Sequence, residues 1–439
     1  MVFAQDLDRT KYPPLTRARG IVVGSVLMLA IFTALFGART LAVSFVLFAG
    51  GLILARLLAG EASWTPNLRA QSTLAAFALT LLAGISAIWA EEPKAAFIVF
   101  VSAAAWLLLI VYSVANLRDE HQRNVFHMAE GLWLGLLAGL VYLLIELISD
   151  QAIKLFIINH LHIPRSWLQP EKNYRWAGDV LVAISSADMT RNLTPVPLLL
   201  WSAIIALRTT SPWQARLFWQ GLIFAVTVAA VMSAGNETAK VALVVSSLVF
   251  ILAMRHASQV LTTLQIAWVA TCLFVVPLGL GLYRAELHTA PWLQRSAQHR
   301  VVIWNHVAEQ VMNRPILGIG TGMTAHALAA TAKPQKGKQE FSTNAGHAHN
   351  IFLQTWYELG VVGAIILSLF GLGLLDAIKH LKPRHQPAAL AVFAASFATA
   401  STSFGLWQSW FMSMFGLTLL SFVLAVKADP GHEAPPDRQ

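Results

Sequence analysis

His349, Arg300 and Trp304 are the residues whose types and spacing could act together on a phosphate-bearing, sugar-like ligand. A neutral imidazole takes a proton from a hydroxyl near neutral pH, and a planar guanidinium clamps a phosphate. An indole supports that clamp or stacks on a sugar. His349-Asn350 is followed by nine residues, IFLQTWYEL, and then by Gly360-Val-Val-Gly363. At about 100° per residue, Trp356 and Gly360 project within about 20° of His349, and Gly363 within about 40°. One helix face would then carry His349, Trp356 and both glycines, and glycines three apart let a neighbouring helix approach closely. That face is expected to look into a bundle. His349 would stand at the helix entrance, where the dipole disfavours an imidazolium. Taken alone, such a histidine could equally cap the helix or bond a lipid headgroup.

Upstream, Ser296 to Met312 reads as an amphipathic helix ended by Asn313-Arg314-Pro315. Arg300 and Trp304 are four apart and share a face, although an arginine on an interfacial helix can also simply snorkel. Gly318-Ile-Gly320-Thr-Gly322 could be an anion-binding backbone nest or a plain turn. It matches neither the Walker nor the dinucleotide pattern, since no lysine follows and no strand precedes it. His347 beside His349 invites a zinc reading, but residues two apart point apart on a helix, and no metal site is expected. Asp6-Leu-Asp8 lies in an N-terminal tail and reads as solvated charge. Among acids in or near apolar blocks, Glu358 projects about 180° from His349 and reads as structural. Glu130 also falls there, and Glu146 could orient an arginine or an acceptor.

The elements that must position these residues follow from composition. Of 439 residues, 56% are apolar and 12% charged, against roughly 25% charged in a soluble domain. Apolar blocks of helix-spanning length exclude a cytosolic enzyme. Twelve spans are expected, at Gly20–Gly37, Leu41–Ala59, Ser72–Ala90, Ala95–Ala115, Gly131–Ser149, Val196–Leu207, Leu217–Met232, Ala239–Met254, Leu261–Leu282, Ile351–Leu374, Ala388–Ala400 and Trp410–Val426. Val196–Leu207 and Ala388–Ala400 are short and are expected to extend into flanking Thr, Pro and Ser residues. The predicted organisation is a tail and five spans over 1–149, a long outer segment over 150–195, four spans over 196–282, a second outer segment over 283–350, three spans over 351–426 and a tail over 427–439. The lone Cys272 allows no internal disulfide.

Arginine and lysine collect in alternate short loops, among them Arg9, Lys11, Arg17, Arg19, Arg56, Arg69, Arg118, Arg123, Arg208, Arg216, Arg255, Lys379, Lys382, Arg384 and Lys427, which places both termini in the cytoplasm. The opposite short loops hold Arg39, Lys94 and Lys240. The second outer segment is itself basic, with Arg284, Arg295, Arg300, Arg314, Lys333, Lys336 and Lys338 against Glu286, Glu309 and Glu340. Because topology gains nothing from that charge, it points to an anionic ligand or to lipid headgroups rather than to nucleic acid. No coiled coil or soluble interaction module is apparent, so a monomer is expected. The tail from Asp429, rich in Pro and charge, reads as disordered.

The stretch from Arg300 through Trp304, Arg314-Pro315, Gly318-Ile-Gly320 and His347-Ala-His349-Asn350 to Gly360-Val-Val-Gly363 resembles the O-antigen ligase and polymerase superfamily of bacterial envelope glycosyltransferases. The family pattern is a His followed by Asn, Ser or Gln, nine residues, then Gly-x-x-Gly. The resemblance implies a GT-C-like glycosyltransferase in the bacterial inner membrane, with its active site facing the periplasm. It also implies transfer of a preassembled glycan from undecaprenyl diphosphate, to lipid A-core in the case of a ligase. Arg175-Trp-Ala-Gly178 and Arg191-Asn192 look like the arginine-bearing loop that family members place opposite the histidine. Arg191, Arg300 and Arg175 would then stabilise the diphosphate leaving group, and His349 would be the general base. His347, Asn350, Trp304, Trp356, Gly360 and Gly363 would support them. No Asp-x-Asp lies in the outer segments to hold a divalent ion, so a metal-independent, inverting single displacement without a cofactor is expected.

Competing expectations keep the histidine and change the acceptor, giving an O-antigen polymerase or a protein O-oligosaccharyltransferase. A lipid-linked glycan transporter or flippase is the reading from another class. Transporters commonly repeat one half of the chain in the other, and the five, four and three spans here show no such symmetry.

Overall fold

The computed structural model describes residues 14–37, 40–168, 171–211, 213–331, 341–343 and 345–429. Asp6-Leu-Asp8, Arg9, Lys11, Arg39, Lys333, Lys336, Lys338, Glu340 and the tail after Asp429 lie outside the described residues. The chain is an all-α polytopic membrane protein. Hydrocarbon offers no water to backbone groups, so each spanning segment closes its own hydrogen bonds as a helix.

Ten helices among the described residues are long and apolar enough to cross a membrane, where twelve spans were expected. Two places account for the difference. Ala239–Met254 and Leu261–Leu282 run together in one element, Glu237–Arg284, of 48 residues. A straight helix of that length would reach about 70 Å, more than twice the hydrocarbon thickness. The non-helical geometry of His256 (φ −131°, ψ 44°) interrupts it between the two apolar blocks. The other place is Ala388–Ala400, which forms the helix Gln386–Thr402 of 17 residues, about 25 Å and short of a full crossing. The short Val196–Leu207 block does lengthen, within a 23-residue span over Asp188–Thr210.

The residues divide into two compact units. The first draws on the chain up to Thr65, on Tyr112–Ser247 and on the chain from Ser413. In it, the helix Pro14–Phe36 packs along Gln122–Ile148 through glycines, and a Cβ added at Gly131 would strike the Gly24 carbonyl. Arg19 and Arg56, read above as topology signals, are buried and paired: Arg19 to Glu61 at 2.7 Å and Glu120 at 2.8 Å, Arg56 to Glu120 at 3.4 Å. Buried charges in such surroundings persist only with partners of this kind.

Among the described residues, the segment after Gln122–Ile148 carries an antiparallel hairpin of Tyr174–Ala177 with Val180–Ile184. Gly178, at φ +59°, makes its two-residue turn with Asp179.

The second unit, Pro66–Val111 with Leu248–Met412, is organised around the helix Ile351–Lys379. That helix packs on Gln71–Ile85, Arg295–Val311 and Gln386–Thr402. Trp356, expected to share the His349 face, instead ties this helix to Glu237–Arg284: its Nε1 donates to the Cys272 carbonyl at 2.6 Å. Gly371 leaves room for the Trp268 ring, whose Nε1 donates to the Leu367 carbonyl at 3.1 Å.

Candidate active site

Asn350 starts the helix Ile351–Lys379. Its side chain accepts from the Leu353 N–H at 3.0 Å, the N-cap geometry for which Asn and Ser are suited. His349 immediately precedes it with φ +54°, a left-handed conformation that costs a non-glycine residue about 1 kcal/mol or more. Such an outlier is held only where its surroundings over-determine it. Here the holding contact is long-range: the His349 Nδ1 lies 2.9 Å from the Ser403 carbonyl oxygen. A carbonyl can only accept, so Nδ1 carries the proton and Nε2 keeps its lone pair.

The imidazole is kept neutral, though for a reason other than the helix dipole. Burial is the first cause, followed by the neighbouring His347 and Arg300 and by His299, and together they push its pKa down to about 3 despite the Ser403 carbonyl. His347 meets His349, which lies outside the helix. The two rings stand edge to face with centroids 4.0 Å apart. Phe404 closes against both, at 5.8 and 6.5 Å. Among the described residues no group of three His, Cys, Asp or Glu side chains is placed to share a metal ion.

The amphipathic helix spans Arg295–Val311, as its pattern predicts, and buries Val301, Val302, Ile303, Val307, Ala308 and Val311. It pins the chain leading into the histidine at two points. The His299 Nε2 donates to the Ser342 carbonyl at 2.7 Å, and the Trp304 Nε1 donates to the Ala348 carbonyl at 3.0 Å. The Trp304 indole thus uses its only donor to hold the backbone next to His349. Arg300 lies between these pins, half-buried and near enough to lower the basicity of His349.

The glycine pattern works differently from the helix-packing role expected of it. Gly360 breaks the helix (φ 64°, ψ −162°), and a Cβ there would strike the Ile316 carbonyl. The backbone of 315–320 lies along the break. Val361 N–H donates to the Pro315 carbonyl at 2.8 Å, while Ile319 and Gly320 donate to the carbonyls of Tyr357 and Glu358 at 3.0 and 2.9 Å. At Gly363, the atoms that a Cβ would meet first are those of Leu359 and Thr355 of its own helix.

The Gly318-Ile-Gly320-Thr-Gly322 loop, with positive φ at all three glycines, does form an anion cradle. Its anion comes from the same chain. The Glu358 carboxylate accepts from Gly322 N at 2.8 Å, Thr324 N at 3.3 Å and Thr324 Oγ1 at 2.5 Å. It also accepts from Gln354 Nε2 at 3.0 Å and Trp407 Nε1 at 2.5 Å. Sequence reasoning missed Ser403, Gln354 and Trp407. The available signal was a pair of polar-tipped side chains, 354 and 407, among apolar neighbours.

Arg191 and Arg175 belong to the other unit. Arg191 sits on the helix Ser186–Asn192, whose flanks are tied down: the Thr190 carbonyl accepts from Asn236 Nδ2, and Asn192 Nδ2 donates to the Phe36 carbonyl at 2.9 Å. Arg175 lies exposed on the first strand of the hairpin. Glu146 accepts from the Lys154 N–H at 2.9 Å, which anchors the start of the helix Ala152–His160. Glu130 faces His127 at 3.1 Å.

Residues 199–368, which contain Arg300, Trp304 and the stretch from His347 to Gly363, match the family model described as O-antigen ligase. Over this region the chain is similar to the O-antigen ligase superfamily. A Rickettsia conorii protein named "Putative polysaccharide ligase" is 30% identical over 138 residues, covering 31% of this chain and 34% of that protein. Proteins of the same name from Rickettsia felis and Rickettsia bellii are each 28% identical, over 31% and 34% of this chain and 34% and 36% of theirs. The chain thus spans about a third of the length of the curated relatives it matches.

Proposed function

We propose that the chain is an O-antigen ligase, which transfers preassembled O-antigen from undecaprenyl diphosphate to lipid A-core at the periplasmic face of the inner membrane. The observation that carries this reading is the fixed tautomer of His349, with Nδ1–H on the Ser403 carbonyl and the lone pair left on Nε2, in a ring that feels the charge of Arg300. In the proposed step an acceptor sugar hydroxyl attacks the anomeric carbon of the donor. Its proton passes to the His349 Nε2, and the bond to the diphosphate breaks with the electron pair leaving on undecaprenyl diphosphate. A single displacement of this kind inverts the anomeric centre. Arg300 stabilises the charge growing on the leaving group. A diphosphate beside Arg300 also offsets the cation's effect on His349 and restores its basicity when the donor is in place. Arg191 and Arg175 are assigned to binding a diphosphate on the family resemblance alone. GT-C architecture, cytoplasmic termini, a metal-independent reaction and a monomeric enzyme complete the proposal.

The test is in vitro transfer from undecaprenyl-diphosphate-linked O-antigen to purified lipid A-core, with EDTA throughout, comparing wild type with His349→Ala at matched folded amounts. Product from wild type and its loss in the variant support the ligase. Chain growth on the lipid carrier, with none on lipid A-core, would assign a polymerase instead.

A further inference from the structure

We infer that Glu358 is a positioning residue for His349, acting through the loop Ser403–Gln408, with Gln354 and Trp407 as the links. This inference rests on the reading of His349 as the base. Glu358 is buried and lies nine residues beyond His349, within the helix Ile351–Lys379. Its carboxylate holds the Trp407 Nε1 directly. It also orients Gln354, whose Nε2 donates to it at 3.0 Å and whose Oε1 accepts from the Leu406 N–H at 3.0 Å. The Leu406–Trp407 backbone and side chain are thereby fixed three and four residues beyond Ser403. Ser403 supplies the carbonyl that sets the His349 tautomer and supports its left-handed backbone. Gly405 lets the loop close over the histidines, since a Cβ there would press on the His347 Cβ at 3.0 Å.

The same carboxylate takes the N–H groups of Gly322 and Thr324, so the glycine loop meets the Trp407 side chain at one carboxylate. One side chain therefore joins the two loops that enclose the start of the histidine helix. A carboxylate suits this position because it accepts several donors at once and offers none in return. The charged and titratable groups that His349 itself feels are His347, Arg300 and His299. None of them is part of the Glu358 cluster, so loosening that cluster changes the position and burial of the imidazole without removing a charge beside it.

The experiment compares wild type, His349→Ala, Trp407→Phe and Glu358→Gln in the transfer assay above, at matched folded amounts, recording kcat, both KM values and the pH profile of kcat/KM. Glu358→Gln replaces one acceptor oxygen by an NH2 that faces other donors, and is expected to reduce the folded yield. Trp407→Phe keeps the ring and removes one bond, so it carries the test. Displacement of a catalytic group by a fraction of an ångström to 1 Å is expected to lower kcat by about 10- to 100-fold. Both KM values should stay within about 2-fold, and an acid limb should appear below pH 7 as His349 loses burial and its pKa rises towards about 6.5. A purely structural network would lower the amount of protein and leave kcat per folded molecule and the pH profile as in wild type. That result, with His349→Ala inactive, overturns the positioning role and leaves the base standing. Full activity of His349→Ala overturns the base reading and this inference with it.

Discussion

His349 donates its Nδ1–H to the carbonyl of Ser403, 54 residues further along the chain, at 2.9 Å. This bond decides which ring nitrogen can act. With Nδ1 committed as donor, only Nε2 can receive a proton, and exchange of the two roles would leave two acceptors facing each other. The bond also crosses from the entrance of one helix to the end of another, Gln386–Thr402. The base is therefore placed by tertiary structure.

Replacing the ring should affect the chemical step more than binding. His349→Ala is expected to lower kcat for transfer by about 10²- to 10⁴-fold, the usual worth of a positioned general base, with the donor KM changed by less than about 3-fold. Steady-state kinetics with purified donor and acceptor check this. A large rise in donor KM with unchanged kcat would make His349 a binding group instead.

The low basicity of His349 gives a second expectation. An ordinary histidine of pKa about 6.5 would lose about 30-fold of its neutral form between pH 8 and pH 5. With its pKa near 3, His349 stays neutral over that range, so kcat/KM, which reports the free enzyme, should be flat from pH 5 to 8. The same shift makes the folded state lose stability on acidification. The unfolded chain binds a proton near pH 6.5 that the folded chain refuses, so this contribution is complete above pH 6.5 and is lost as pH falls towards 3. A sigmoidal fall in kcat/KM centred near 6.5 would show that the imidazole is not held in this environment.

Arg300 offers a test of charge at the same place. Arg300→Ala is expected to lower kcat by about 10²- to 10³-fold, as for removal of a single stabilising donor to a developing anion. It should also raise the basicity of His349, since a nearby cation is removed. Arg300→Lys keeps the charge and loses the fork, so it should recover part of the rate. Equal rates for the two variants would mean that charge at this position is irrelevant to transfer.

Much of this arrangement was legible in the sequence, and what was not has a common physical cause. Apolar blocks betray spans because hydrocarbon forces backbone groups to pair within each helix, and Asn350 announces a helix start because its side chain caps the chain locally. The amphipathic helix and its Arg300 and Trp304 face followed from period alone. The helical projection failed at Gly360, where it assumed a continuous helix and the chain takes a conformation reserved for glycine. Glu358 was read as structural, but its partners at 322, 324 and 407 are 34 to 49 residues away. Likewise, no local pattern shows that the glycine loop already holds an anion. The hairpin was missed although Gly178-Asp179, between Trp-Ala and Val-Leu-Val, carries a turn signal, because the outer segment was read for its arginines.

Gly360 provides the last prediction, which concerns folding rather than rate. Its φ of 64° with ψ of −162° lies in a region open in practice only to glycine, and a Cβ would collide with the Ile316 carbonyl. Both penalties fall on the same atom, and neither can relax by moving a flexible side chain, since the opposing atoms are backbone. Any shift would break the Val361 N–H bond to Pro315 at 2.8 Å and the Gly320 N–H bond to Glu358 at 2.9 Å. Gly360→Ala should thus destabilise the protein by about 3 kcal/mol or more, seen as a lower midpoint of thermal unfolding in detergent and a reduced folded yield. If Gly360 were there only to let a neighbouring helix approach, the break would be dispensable, and alanine, the better helix former, would leave the midpoint unchanged or raise it.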